Sequence, residues 1–235
     1  MTSGITDVEG DSPWQAQLRS SSRIRSLYSP GTETSYSDTN YNLLGELIEQ
    51  WTGQRYGTFV QERILGPLGM SGSQELGRSA KVSNQAVGYK APRNGRWPRA
   101  ERLNGPAMYA AAGMVSTAQD MATYMTALLS GRLLDPATYG LMWTSTPTLQ
   151  YGANPPYDAA RGLGWDTAID AGAGPVEVTK AGDVPGYTSQ LILFPSSHSG
   201  VFVSFNTSDF GGADLSGATA FQVAESVYET AQSGP

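Results

Sequence analysis

The fold is decided by residues 30–49, which read PGTETSYSDTNYNLLGELIE. The opening Pro-Gly pair predicts a turn, because proline presets φ and glycine accepts the positive φ that many turns need. A helix follows, since apolar residues recur on one face at helical spacing: Leu43, Leu44, Leu47, Ile48 and Trp51. Gly53 stands where a C-cap glycine is expected. We therefore expect Tyr36, Ser37 and Asp38 at a loop-to-helix junction, where side chains can be directed into a pocket.

Composition and charge narrow the function classes. A chain of 235 residues with 39% apolar content is long enough to bury a core. The net charge of −6 and the lack of a basic cluster argue against nucleic acid or an anionic membrane surface as partner. No apolar run approaches the ~20 residues that a membrane helix needs. The first residues form no signal peptide, so the sequence leaves the compartment undetermined.

Three more helices are predicted before residue 160. A short helix is expected over residues 14–18, and another over 56–65 that stops at Gly66-Pro67, with Tyr56, Phe59, Val60 and Ile64 inside. The strongest pattern starts at Thr117, which can cap a helix with Asp120 three residues on. Its buried face would consist of Met121, Tyr124, Met125, Leu128 and Leu129, and Gly131 would end it. Residues 71–106 are rich in Gly, Pro, Arg and Asn and predict irregular structure around a short strand at 86–89.

The periodicity changes from helical to β at Arg161. Strands are predicted over 162–169, 176–180, 188–194 and 201–205, because these runs are rich in Val, Ile, Phe and Trp. Helical spacing returns over 215–231, with Phe221, Val223 and Val227 expected inside. The fold class is therefore α+β: a helical region over about 1–160, then an antiparallel meander and a terminal helix over about 161–235.

Several common catalytic designs are absent from the sequence. The single histidine, His198, falls in a predicted hairpin turn, which is a poor position for the histidine of a Ser-His-Asp triad. No Gly-x-Ser-x-Gly elbow occurs. The lack of cysteine removes disulfides, thiolate catalysis and thiolate metal sites, and no metal site or cofactor is expected. A Ser-x-x-Lys pair is missing too, because no serine precedes Lys81, Lys90 or Lys180 by three residues.

Several motifs together resemble a known family. They are Tyr36-Ser37-Asp38, the string at 64–70 (ILGPLGM), the Gly-x-x-Ser-Thr-Ala-x-Asp pattern at 113–120, and Lys180-Ala181-Gly182. In this order they resemble the serine hydrolases related to class C β-lactamases, DD-peptidases and family VIII esterases. The family has asparagine where this chain has Asp38. The resemblance implies a β-lactamase/penicillin-binding-protein-like fold in a single domain over 1–235.

The resemblance also implies roles for individual residues. Tyr36 would be the general base, and Lys180 would stabilise negative charge beside it and on the substrate. Asp38, Ala181, Gly182 and Asp183 would contact the substrate, with the Asp183 backbone N–H as half of an oxyanion hole. A free tyrosine titrates near pH 10, and one cation at about 4 Å lowers that pKa by roughly 3 units at most. The family uses two lysines for this purpose, so we expect Tyr36 to be less well activated here.

The expected activity follows from the missing Ser-x-x-Lys pair. This chain would be the C-terminal part of a serine hydrolase acting on small ester, amide, peptide or β-lactam-like substrates through an acyl-enzyme. The nucleophile would lie in a missing N-terminal segment or a second chain, and this chain alone would be inactive, with exposed sheet edge and core. Lys180 would favour carboxylate-bearing substrates. Family members are often periplasmic or secreted.

Two alternatives stay open. One is a non-catalytic, degenerate hydrolase fold used for ligand or partner binding, which Asp38 favours because a carboxylate repels anionic substrates. The other is purely structural. Tyr36 would then be a buried tyrosine, Asp38 a helix N-cap, and Lys180 an exposed strand lysine.

Overall fold

The first half of the chain is helical and follows from its capping and turn signals. The computed structural model describes residues 28–29, 32, 36–77, 82–143, 160–170, 174–208 and 215–233. Its helical elements up to residue 143 are α1 (Asp38–Thr52), α2 (Tyr56–Val60), a π-helical turn (Gln61–Leu65), α3 (Gly66–Leu68), α4 (Gly105–Ala112), α5 (Ala118–Leu129) and α6 (Pro136–Trp143). The predicted helix over 14–18 lies outside the described residues.

Two predicted helix caps are confirmed. Gly53 ends α1 in the left-handed conformation, with φ of 66°, and its N–H donates to the Glu49 carbonyl. The Thr117 hydroxyl accepts a hydrogen bond from the Asp120 N–H at 3.1 Å, which caps α5. These local signals set where α1 ends and where α5 begins.

The second half is an antiparallel meander. Five strands lie in sequence order: β3 (Ala160–Arg161), β4 (Asp166–Asp170), β5 (Gly174–Val184), β6 (Tyr187–Phe194) and β7 (Ser199–Phe205). Before them, β1 (Gln74–Glu75) and β2 (Met114–Val115) form a small separate pair. A terminal helix, α7 (Leu215–Ser233), packs against the sheet. The predicted meander and terminal helix are confirmed. The strand predicted over 162–169 is wrong in its first half, because residues 162–165 form the turn between β3 and β4, whereas β5, β6 and β7 are longer than predicted.

The main core lies between α5, α6 and the sheet. Val178 and Leu193 have no exposed surface, and Leu128 is 4% exposed. Met121, Tyr124 and Leu129 pack against this core as predicted, and Met125 is buried within it. Burial of these side chains joins the helical region to the sheet.

The predicted apolar face of α1 is not its buried face. Leu44 is 52% exposed, Leu47 is 37% exposed and Trp51 is 80% exposed. The buried residues of α1 are instead small or polar, namely Thr39, Asn40, Asn42 and Gly45. The physical reason is close packing: a Cβ at Gly45 would lie 2.6 Å from the Ala110 Cβ, so α4 rests on the glycine side of α1.

Three further predictions need correction. The helical conformation does not stop at Pro67, because proline is tolerated in the first turn of a helix. The helix α3 ends instead at Gly69, which has a φ of 73°. Val223 and Val227 of α7 are 38% and 49% exposed, while Ala224 is fully buried, since a small residue permits close helix–sheet packing. The predicted strand at 86–89 is reduced to isolated bridges at Tyr89. Helices α4 and α6 were not predicted, because their short apolar runs lack a clear period.

Candidate functional site

A cleft of about 1780 Å³ brings the start of α1 together with strand β5. The residues that line it include every site residue predicted from the sequence: Tyr36, Asp38, Lys180, Ala181, Gly182 and Asp183. Other parts of its wall come from α4, β2 and the loop at 101–104. The meander therefore places residues that are more than 140 positions apart in sequence around one cavity.

Tyr36 and Asp38 are joined directly. Ser37 is the N-cap of α1 in an extended conformation, with φ of −158°, and its side chain is 1% exposed. The residues on either side, Tyr36 and Asp38, are exposed, and the Tyr36 hydroxyl donates a 2.6 Å hydrogen bond to Asp38 Oδ1. The structural alternative fails in part, since Tyr36 is 52% exposed and Asp38 follows the N-cap.

Lys180 lies over the ring of Tyr36. Its Nζ is 5.4 Å from the Tyr36 ring centroid, within the range of a cation–π contact. Burial lowers the pKa of Lys180 below the ordinary lysine value; the Asp166 and Asp38 carboxylates oppose this change, and Arg161 adds to it. Lys180 is partly buried, which differs from the exposed strand lysine of the structural alternative.

The three residues after Lys180 continue along β5 beside β6. Gly182 is opposite Ser189 in the ladder, and a Cβ at Gly182 would lie 2.7 Å from Ser189 Oγ. A larger residue at this position would require the Ser189 hydroxyl to rotate away. Ala181 and Asp183 are exposed toward solvent. Their contacts with substrate, and the oxyanion role of the Asp183 N–H, stay predictions.

Three neighbouring residues were not identified from the sequence. Arg161 Nε and Asp166 Oδ1 form an ion pair at 3.0 Å across the β3–β4 turn. Burial raises the pKa of Tyr41 above its usual value, and Asp166 and Asp38 raise it further while Arg161 lowers it. Tyr41 could have been found by its position, since residues i and i+3 share a helix face with Asp38. The ion pair depends on strand pairing and gave no sequence signal.

The arrangement can bind and polarise a substrate carbonyl. A cation, a phenol and a carboxylate meet within one open cleft, so proton transfer through Tyr36 and charge stabilisation by Lys180 are chemically available. Among the described residues no cluster of His, Asp and Glu suited to a metal ion was found. No helix within those same residues is long and apolar enough to cross a membrane.

His198 is placed away from this cleft. It is exposed in the turn between β6 and β7 and adopts the left-handed conformation, with φ of 51°. It does not line the cleft, so the prediction that it is a solvated turn residue is confirmed.

Curated proteins similar to this chain are much longer than it. Unguisins hydrolase ungD′ from Aspergillus campestris is 30% identical over 198 residues, which is 79% of this chain and 36% of that protein. Protein flp from Staphylococcus aureus is 26% identical over 76% of this chain and 34% of its own length. The chain thus spans about a third of these relatives.

Solved structures share the fold. The D-stereospecific amidohydrolase from a Streptomyces species is 26% identical, with a TM-score of 0.73, covering 93% of this chain and 69% of that one. The D-amino acid amidase from Ochrobactrum anthropi, 22% identical, covers 100% of this chain and 70% of its own, with a TM-score of 0.78. The sequence model of the Beta-lactamase family matches residues 1–224. The chain therefore belongs to the β-lactamase family, with the hydrolase fold that its motifs predicted.

Proposed function

We propose that this chain supplies the general base and the electrostatic partner of a serine hydrolase that cleaves amide or ester bonds through an acyl-enzyme. The observation that carries the proposal is the convergence of Tyr36 and Lys180, with Nζ 5.4 Å from the ring centroid. Both residues belong to motifs with defined roles in the family, and both line the same cleft. No other described feature combines a proton acceptor and a cation in this way.

The reaction would proceed in two steps, acylation of the serine and hydrolysis of the acyl-enzyme. A serine Oγ attacks the substrate carbonyl carbon, its proton passes to the Tyr36 oxygen, and the same proton then leaves with the amine or alcohol. Water next attacks the acyl-enzyme, and Tyr36 takes a proton from that water and returns one to the serine. Lys180 would stabilise the phenolate that accepts each proton. In the structure the Tyr36 hydroxyl donates to Asp38, so its own proton must first be lost to solvent.

The nucleophile would come from residues outside this chain. The sequence contains no Ser-x-x-Lys pair, and the chain spans 36% of the fungal hydrolase and about 70% of the solved amidases. The exposed apolar side chains of α1 are consistent with a further segment or second chain packing there. This segment would bring the serine to the cleft.

The substrate class that we favour is an amide. Two of the similar structures are named for amide hydrolysis, one as a D-stereospecific amidohydrolase and one as a D-amino acid amidase. Structures of the latter include complexes with phenylalanine amide and with D-phenylalanine. Phenylalanine amide is therefore the first substrate to test.

A second candidate function is non-catalytic binding of a ligand or partner. The observation that favours it is the Tyr36–Asp38 hydrogen bond, because an ionised carboxylate at 2.6 Å opposes formation of the phenolate that a base requires. The same cleft would then hold a ligand without turnover.

The test is the intact mass of the natural gene product before and after reaction with a fluorophosphonate acylating probe. The proposal expects a species well above 24.9 kDa that gains one adduct, and a Tyr36→Phe variant that is labelled at least 100-fold more slowly. A folded 24.9 kDa species that stays unlabelled would support the binding function instead. Equal labelling of the Tyr36→Phe variant would remove Tyr36 from the mechanism.

A further inference from the structure

We propose that Asp38 selects substrates that carry an ammonium group next to the scissile bond, and disfavours substrates that carry a carboxylate there. This inference rests on the proposed function, since it names the substrate class of the same cleft. It also reverses the preference for carboxylates that Lys180 alone suggests.

The position of Asp38 supports this role. It is the first residue of α1, it is exposed, and it lines the cleft together with Tyr36 and Lys180. Only Oδ1 receives the Tyr36 hydroxyl. A carboxylate has about four acceptor positions on its two oxygens, so Asp38 retains the capacity to accept from an ammonium group while it holds Tyr36.

Asp38 is the carboxylate that contacts the candidate general base. Arg161 and Asp166 pair with each other at 3.0 Å, and neither of them lines the cleft. In the described part of the chain, neither Asp38 nor Lys180 forms an ion pair within 4 Å. Lys180 Nζ lies over the Tyr36 ring, and the Asp38 carboxylate accepts from the Tyr36 hydroxyl. The cleft thus has a carboxylate at the Tyr36 hydroxyl and an ammonium group over the Tyr36 ring.

This polarity matches a substrate with charge at one side of its carbonyl. An ammonium group at Asp38 would leave the carbonyl oxygen on the Lys180 side, where negative charge develops during attack. A carboxylate in place of the ammonium would face Asp38 at short range and be repelled. Asparagine at this position has the same shape without the charge, so Asp38→Asn isolates the electrostatic effect.

A merely structural role for Asp38 makes a different prediction. An acidic residue in the first turn of a helix stabilises that helix through the macrodipole. Loss of that effect would change stability and would weaken all ligands alike. A change in the order of affinities among differently charged ligands would not follow from it.

The experiment uses the full natural gene product and three probes on one scaffold at pH 6: phenylalanine amide (cationic), its N-acetyl derivative (neutral) and its N-succinyl derivative (anionic). Dissociation constants are measured by calorimetry, and hydrolysis is followed in parallel. We expect the cationic probe to bind tightest and the anionic probe weakest. Asp38→Asn should reduce the cationic-to-neutral preference about 5-fold, as expected for an exposed ion pair. Asp135→Asn, an exposed acid outside the cleft, should leave that preference unchanged.

The outcomes separate the two proposals. Equal binding of the three probes, or an Asp38→Asn variant that keeps the wild-type order, overturns the charge selection even if the neutral amide is hydrolysed. Ordered binding without hydrolysis or acylation retains the charge selection and overturns the proposed hydrolysis. Failure of all three probes to bind overturns the charge selection.

Discussion

The sheet and helix α1 bury their apolar residues to very different extents. In the sheet, Ile192 and Leu193 are fully buried between α5, α6 and α7. On α1, Leu44 and Trp51 are 52% and 80% exposed, although their spacing is that of a buried helix face. The sheet finds its packing partners within the described residues, and the apolar side of α1 does not. The difference indicates that α1 offers a surface suited to a further partner.

The largest effect should come from truncating the same side chain in the two regions. Leu193→Ala removes a fully buried leucine and should lower the free energy of unfolding by about 2–5 kcal/mol. Leu44→Ala, at a half-exposed position, should lower it by no more than about 1 kcal/mol. Denaturant unfolding of both variants measures the two values. Equal losses would mean that α1 is buried as deeply as the sheet.

Alanine substitutions at two helical glycines, one buried and one exposed, test which side of α1 is packed. Gly45→Ala places a Cβ 2.6 Å from the Ala110 Cβ, so we expect a loss of about 1–3 kcal/mol despite the better helix propensity of alanine. The matched control is Gly140→Ala in α6, where a Cβ would meet no atom within 4 Å. That change should stabilise by up to about 1 kcal/mol. Stabilisation by Gly45→Ala in the same unfolding assay would contradict the contact between α1 and α4.

The lowered pKa of Lys180 predicts that the stability of the fold depends on pH. Burial lowers this pKa in the folded chain, whereas in the unfolded chain it keeps its ordinary value near 10.4. Between the two values the unfolded chain binds more protons than the folded chain, so the free energy of unfolding rises with pH. Below this window the ammonium destabilises the fold. Lys180→Met should therefore be more stable than wild type at pH 7, and the gain should shrink as the pH approaches 10.5.

The control for this prediction is Lys90→Met. Lys90 is exposed and pairs with Glu101 at 2.7 Å, so its replacement should not stabilise the protein at either pH. Unfolding free energies at pH 7 and pH 10 give the comparison. A Lys180→Met variant that is less stable than wild type at pH 7 would show that the ammonium is well solvated or compensated.

The smallest effect on stability should come from making the exposed apolar side of α1 polar. The same change should clearly increase solubility. Replacing Leu44, Leu47 and Trp51 by glutamine should change the unfolding free energy by about 0.5 kcal/mol or less per site. Dye binding and self-association of this chain should fall, because the exposed apolar patch is removed. Unfolding of the triple variant would contradict the prediction, because it would mean that other residues of this chain cover the patch. In a longer gene product the same variant should be distinctly destabilising wherever a further segment packs on α1.

Predictions that rest on local signals are confirmed. The Gly53 and Thr117 caps, the meander and the terminal helix depend on neighbouring residues, and all were predictable. The buried side of α1 was predicted wrongly, because hydrophobic spacing identifies an apolar face but not whether a partner covers it. The same limit explains Val223 and Val227, where the buried residue is the small Ala224.

The chain's motifs by themselves determined its family and named the residues of its candidate site, since turn, cap and strand signals require only local chemistry. Tertiary structure alone decided that Lys180 stands over the Tyr36 ring, that Asp38 holds the Tyr36 hydroxyl, and that the Arg161–Asp166 ion pair lies close enough to influence the pKa of Lys180. These contacts join residues up to 144 positions apart, from Tyr36 to Lys180. Distances and charge balance between such residues arise only when the sheet and helices pack, and those quantities set what the cleft can bind.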